Sequence, residues 1–155
     1  MPVKKLKEFL DASRIKYVIV IHSGAYTAQE VAQSAHISGK ELAKTVVVKI
    51  DGKMAMAVLP ASCKVDLDLL KKAAGGSRID LPGEGEFKDL FPDCEPGAMP
   101  PFGNLYGMDV FADESLALQE EIAFVAGSYT EVVRLPYKDF SRLVKPRGGR
   151  FALRP

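Results

Sequence analysis

The sequence predicts one mixed α/β (α+β) domain built on a largely mixed sheet, on three observations. Apolar residues recur at helical spacing near both ends, at Val3, Leu6, Phe9 and Leu10 and again at Tyr137, Phe140, Leu143 and Val144. Two apolar runs flank Asp51-Gly52, a strong signal for a tight hairpin. The remaining strands and helices follow one another without a regular βαβ alternation, which argues against an all-parallel doubly wound sheet. At 155 residues and 47% hydrophobic, the chain is long enough for one substantial core.

Taken in order, residues 3–13 read as an amphipathic helix and Tyr17 to Ile21 as a short apolar strand running to His22. Thr27 with Glu30 fits a capping box, opening a helix through about Ala35; Ser38 with Glu41 fits a second, opening a short helix. The β-branched run Thr45 to Ile50 reads as a buried strand, with Lys53 to Leu59 returning. Val65 to Leu70 opens a helix that ends at Gly75-Gly76. Arg78 to Leu81 suits a short strand and Glu84 to Phe91 a short helix. Leu105 to Phe111, Ile122 to Ala126 and Thr130 to Leu135 read as strands, with Asp113-Glu114 beginning a polar helical turn. Counting back from Val133 and Leu135, a strand that extends as far as Tyr129 places it on their apolar face. Pro136 suits the start of the last helix. Residues 1–145 form the expected domain, and 146–155 a basic tail made flexible by Gly148-Gly149, with a phosphate-contacting arm as its functional reading.

Composition removes several classes of function. A net charge of +1 gives no global signature of nucleic-acid binding, so any RNA contact must use a local patch. Two cysteines, Cys63 and Cys94, lack CxxC spacing, which argues against a zinc site or a disulfide framework and fits a reducing, cytoplasmic setting. The first residues lack the apolar stretch of a signal peptide, and no run is long enough to span a membrane. GxGxxG after a strand, GxSxG and HExxH are all missing, and two histidines, His22 and His36, are too few for a metal cluster. No metal cluster or Rossmann-type cofactor site is expected.

Two stretches carry chemistry. Strand alternation puts Lys44 in register with Val46, Val48 and Ile50, and an ammonium on an apolar face is costly unless an anion meets it. Snorkelling to water from the strand end is the plain alternative. Pro92 to Gly103 holds four other prolines or glycines besides its two ends, a stiff loop suited either to a binding site or to a rigid connector. His22, at a strand end before Ser23-Gly24, suits a pocket mouth.

Three features occur in order: Lys44-Thr45-Val-Val-Val entering a strand, the Gly97-Ala98-Met99-Pro100-Pro101 loop, and Gly127-Ser128 after the strand Ile122 to Ala126. Together they resemble the YbaK/EbsC family, the prolyl-tRNA synthetase-associated domain, over residues 3–145. The resemblance implies a barrel-like mixed sheet wrapped by helices. It also implies an aminoacyl-tRNA deacylase that hydrolyses a small non-cognate amino acid from mischarged tRNA, most often tRNA for proline, alone or beside prolyl-tRNA synthetase or another synthetase. Lys44 matches the family's key lysine, expected to meet the terminal adenosine phosphate or the acyl ester. Gly97, Ala98, Met99 and Pro101 match the loop that presents backbone amides to the scissile carbonyl; Pro100 and Pro101 cannot donate. His22, Tyr26, Thr45, Pro100, Gly127, Ser128 and Tyr129 complete the expected substrate-binding set. The alanine-specific members usually carry histidine where this chain has Tyr129, so alanine specificity does not carry over directly. Two other classes fit the same residues: a non-catalytic module for the tRNA acceptor end or aminoacyl-adenosine, and a Schiff-base enzyme using Lys44.

Overall fold

The computed structural model describes residues 4–21, 37–95 and 97–154. The first helix, α1 (Lys4–Ala12), buries Leu6 and Leu10, four residues apart on one stripe. Strand β1 (Val18–Ile21) follows. Expectations for His22, Tyr26, His36 and the Thr27 helix lie outside the described residues.

The hairpin forms as the sequence predicts. Strands β2 (Ala43–Ile50) and β3 (Lys53–Pro60) pair antiparallel with Lys44 opposite Leu59 and Ile50 opposite Lys53. Asp51 at φ 49° and Gly52 at φ 85° both take the left-handed conformation that a two-residue turn of this hand requires. The short helix expected from Ser38 is a single turn instead. Leu42 and Glu41 both donate to the Ser38 carbonyl at 3.0 Å, and strand pairing begins at Ala43. The β-branched run draws the chain into the sheet before a second helical turn can close.

Beyond the hairpin lie β4 (Lys64–Val65), α2 (Leu67–Ala74), β5 (Ile79–Asp80) and the one-turn α3 (Glu84–Phe87). Helix α2 is bounded by local chemistry: the Asp66 carboxylate accepts from the Leu69 amide, and Gly75 ends it at φ 69°. The strand expected from Leu105 is a 3₁₀ turn at Gly103–Leu105, and β6 (Asp109–Asp113) starts later. Then come β7 (Glu121–Val125), β8 (Glu131–Pro136), α4 (Tyr137–Val144), β9 (Arg147–Gly149) and β10 (Ala152–Leu153).

A five-stranded mixed sheet runs β5-β2-β3-β6-β9, with β3–β6 and β6–β9 parallel, and a three-stranded antiparallel sheet runs β1-β8-β7. The two meet at one parallel bridge, Leu42 to Ala123, reinforced by the Ala123 amide donating to the Glu41 carbonyl at 2.9 Å. Among the described residues the sheets form no closed barrel, so the barrel-like detail of the expected mixed sheet is not seen. Among the described residues one bridge joins them, and the five-stranded sheet ends on β9.

Both faces of the hairpin are covered, which is why β3 reads as a continuous apolar run. Met56 and Val58 face a core with Leu6, Leu10, Phe102, Phe124 and Phe140. Ala55, Ala57 and Leu59 face a second, with Val48, Leu70, Phe111 and Phe151. The C-terminal residues expected to be a flexible tail are part of this second core. Phe151 is fully buried, β9 pairs with β6 and β10 with β4. One buried carboxylate anchors them: Asp113 Oδ1 accepts from the amides of Phe151 (2.8 Å) and Ala152 (2.9 Å). Asp113 Oδ2 accepts from the Ser115 amide and hydroxyl. Burial alone would raise the Asp113 carboxyl, but these hydrogen bonds outweigh it and hold it below the usual range.

Candidate functional site

The proline-bearing loop and the Gly127 turn form one unit. The Gly127 amide donates to the Ala98 carbonyl at 2.8 Å, and the Glu95 amide donates to the Gly127 carbonyl at 2.7 Å. Glu95 Oε2 in turn accepts from the Tyr129 amide at 2.8 Å. Gly97 (φ 82°) and Gly127 (φ 100°) both hold backbone conformations that favour glycine. At Gly97 there is a second reason: the Tyr129 hydroxyl occupies the space a Cβ would need. Behind this unit, Pro100, Pro101 and Phe102 are buried, so the loop is backed by the core.

Among the expected oxyanion donors, Ala98 is corrected. Its amide donates to the Glu95 carbonyl at 3.0 Å and closes the loop. The amides of Gly97 and Met99 make no such bond among the described residues. Ser128 also turns out to shape the chain: its hydroxyl pairs with Thr130 Oγ1 at 3.0 Å and accepts from the Thr130 amide at 3.3 Å. Tyr129 packs with Val132, Ala123 and Leu42, not on the face of Val133 and Leu135 as expected. Strand β8 starts only at Glu131, and the intervening turn breaks the alternation.

Lys44 lies on β2, half-buried, on the side that also carries Leu42, Val46 and Val48. Thr45 is on the opposite side, across from Val58. In the direction set by the Leu42–Ala123 bridge, β2 runs alongside β7 towards the end from which Gly127 departs. Leu42 shares a cluster with Val125 and Tyr129, whereas Val46 and Val48 pack with Leu59 and Cys63, so along that side of β2 Lys44 stands between the two clusters. Burial lowers the Lys44 ammonium's pKa; nearby Lys64 lowers it further, and the Cys63 thiol opposes them. Cys63 and Lys64 are neighbours that sequence pattern did not flag for a role. Glu95, which ties Gly127 to Tyr129, was likewise missed, because a lone acid in a proline loop carries no spacing signal.

The thiols are poor nucleophiles. Cys63 is buried, and burial pushes the Cys94 thiol up despite its 3.9 Å contact with the Tyr106 hydroxyl. Among the described residues, no group of three or more His, Cys, Asp or Glu could hold a metal ion, and no helix is long and apolar enough to cross a membrane.

Comparison with known proteins bears on the family and the fold. The sequence pattern of the aminoacyl-tRNA editing domain matches residues 22–143. A proline–tRNA ligase of Bacillus mycoides is 27% identical over 89 residues, and one of Bacillus cereus (strain AH187) matches to the same extent. Each match covers 57% of this chain and 16% of the ligase, so the chain corresponds to a small part of those relatives. Among solved structures, a hypothetical protein superposes with a TM-score of 0.85 at 18% identity, covering 96% of this chain and 99% of that one. A protein described as a candidate trans-editing enzyme for prolyl tRNA synthetase superposes at 0.81 and 19% identity, covering 96% and 95%. The two structural likenesses establish the fold; the family match spans most of the sequence. The chain belongs to the aminoacyl-tRNA editing domain family.

Proposed function

We propose that this chain is an aminoacyl-tRNA deacylase that removes a small, wrongly attached amino acid from tRNA for proline. The observation that carries the reading is Lys44, an ammonium half-buried on the side of β2 that also carries Leu42, which packs with Tyr129. A lysine kept there at a desolvation cost suits an anionic ligand that repays it. The family membership and the similarity to parts of proline–tRNA ligases support the same substrate.

The chemistry asked of the protein is modest, because an aminoacyl ester is already activated. Lys44 meets a phosphate or the ester of the terminal adenosine as a compact charge. The Gly97 and Met99 amides stabilise the negative charge that develops on the carbonyl oxygen. Water attacks, or a hydroxyl of the substrate's own ribose relays the proton, and no protein general base is required. Tyr129, with its hydroxyl against Gly97, narrows the space for the amino-acid side chain. Pocket size discriminates weakly, since one methylene is worth about 1–3 kcal/mol.

The test is release of alanine, cysteine, serine and threonine from their mischarged tRNAs, alone and with prolyl-tRNA synthetase added. Hydrolysis of at least one small aminoacyl ester supports the reading. Tight binding without turnover across the panel overturns it.

A further inference from the structure

At Cys63, an electrostatic neighbour of Lys44, a groove opens that the deacylation chemistry does not use. It consists of two cavities, ≈ 340 and ≈ 550 Å³, that share Cys63, Ser115, Leu118 and Arg154. Lys40 and Pro60 line the first, and Arg150 and Glu114 the second. Pro60 pairs with Ala43, immediately before Lys44, and Cys63 and Lys64 are Lys44's electrostatic neighbours. The groove therefore shares Cys63 with the surroundings of Lys44.

Its charge is one-sided. Lys40, Arg150 and Arg154 line it, and Lys64 lies on β4, paired with Leu153 of β10. All four are exposed, and among the described residues none is in an ion pair. Of the described acids lining it, Asp113 has both oxygens committed to Ser115, Phe151 and Ala152, leaving Glu114 among the described residues to oppose an anion. The same Asp113 bonds fix the backbone between Arg150 and Arg154, so the two arginines project from an anchored segment. Leu118, 82% exposed, gives the groove an apolar edge against which a sugar can rest. In a chain of net charge +1, such a cluster is a local feature, not a share of a general basic surface.

We propose that this groove carries the sugar–phosphate backbone of an RNA acceptor stem, with Lys40, Lys64, Arg150 and Arg154 on successive phosphates while the aminoacylated end lies at Lys44. The inference rests on the deacylase reading for what occupies Lys44, but the groove has its own readout.

The experiment measures binding of an uncharged acceptor-stem hairpin of tRNA for proline across a salt series. It compares the native protein, the triple variant Lys40→Gln, Arg150→Gln, Arg154→Gln, and Glu114→Lys. Each phosphate contact contributes roughly 0.9 to the slope of log affinity against log salt in a B-form duplex. The triple variant is expected to lose about 2–3 units of slope and at least roughly 10-fold in affinity. Glu114→Lys is expected to gain in both. Hydrolysis of aminoacyl-adenosine, which has no stem, should be unchanged in the triple variant. An unchanged slope in both variants, or equal loss on stem-bearing and stemless substrates, overturns the groove. If the native protein shows the slope behaviour but hydrolyses no ester, the groove stands and the deacylase reading falls.

Discussion

The Gly127 amide donates to the Ala98 carbonyl at 2.8 Å, and this bond makes two loops separated by β6 and β7 into one wall. Because Ala98 also donates to Glu95, the loop closes on itself, while the amides of Gly97 and Met99 make no such backbone bond among the described residues. The wall's shape therefore depends on glycine at position 97.

Gly97→Ala should lower the deacylation rate through two separable effects. A side chain at φ 82° costs on the order of 1–2 kcal/mol, and its Cβ would collide with the Tyr129 hydroxyl. In a Tyr129→Phe background the collision is relieved and the backbone cost remains. Single-turnover rates should then recover partly; no difference between the two backgrounds would refute the contact's role.

Lys44→Met should separate stability from activity. Burial disfavours the Lys44 ammonium, so a well-packed apolar replacement should leave the melting temperature unchanged or raised. The rate should fall as when an oxyanion donor is removed, by about 2.7–4 kcal/mol or roughly 10²–10³-fold. A variant that is both less stable and fully active would contradict the assignment.

The pH dependence follows with its sign. Because the folded Lys44 pKa is lowered, its charge is lost at lower pH than that of an exposed lysine, beginning below the ordinary 10.5. Binding of the uncharged hairpin should weaken as pH rises through that lowered value. Lys44→Arg, which stays protonated, should flatten the profile. Fold stability moves the other way, since the cost of the buried charge is relieved over the same window. An identical profile in Lys44→Arg would exclude Lys44 as the titrating group.

Asp113 governs the C-terminal segment. Its folded carboxyl lies below the ordinary 3.8, so its stabilising contribution is complete above the unfolded value and is lost as pH falls through the folded one. Asp113→Asn should cost about 1.5–3 kcal/mol at neutral pH, the range for hydrogen bonds to a charged group. The gap from the native protein should shrink below pH 3.8. Urea titrations at the two pH values check this; a gap that does not change with pH would argue against the carboxylate.

Much of this architecture was legible where local chemistry and burial agree. The Asp51-Gly52 hairpin, the Gly75 stop of α2 and the buried face of α4 follow from turn, cap and periodicity signals, whereas the Asp66 cap that starts α2 was not read. The in-register placement of Lys44 with Val46 and Val48 was also readable, because strand alternation is rigid. Legibility failed where distant segments decide. Ser38 with Glu41 satisfies a helix signal, yet pairing of the following residues with β3 limits it to one turn. Tyr129 changes face because the Ser128–Thr130 turn interrupts the count. The tail looked flexible because its basic residues and two glycines are local facts, whereas Phe151 and the Asp113 bonds that hold it are tertiary. The resemblance supplied a barrel, but closure is a property of the whole sheet that no motif encodes.

The most direct measurement is the single-turnover release of alanine from mischarged tRNA for proline, by the native chain and by Lys44→Met, against the spontaneous rate. The account predicts release well above background for the native chain and release at or near background for the variant, with both proteins folded. Release by the native chain no faster than in buffer, for alanine and for cysteine, serine and threonine alike, would contradict it, as would an undiminished rate in the variant.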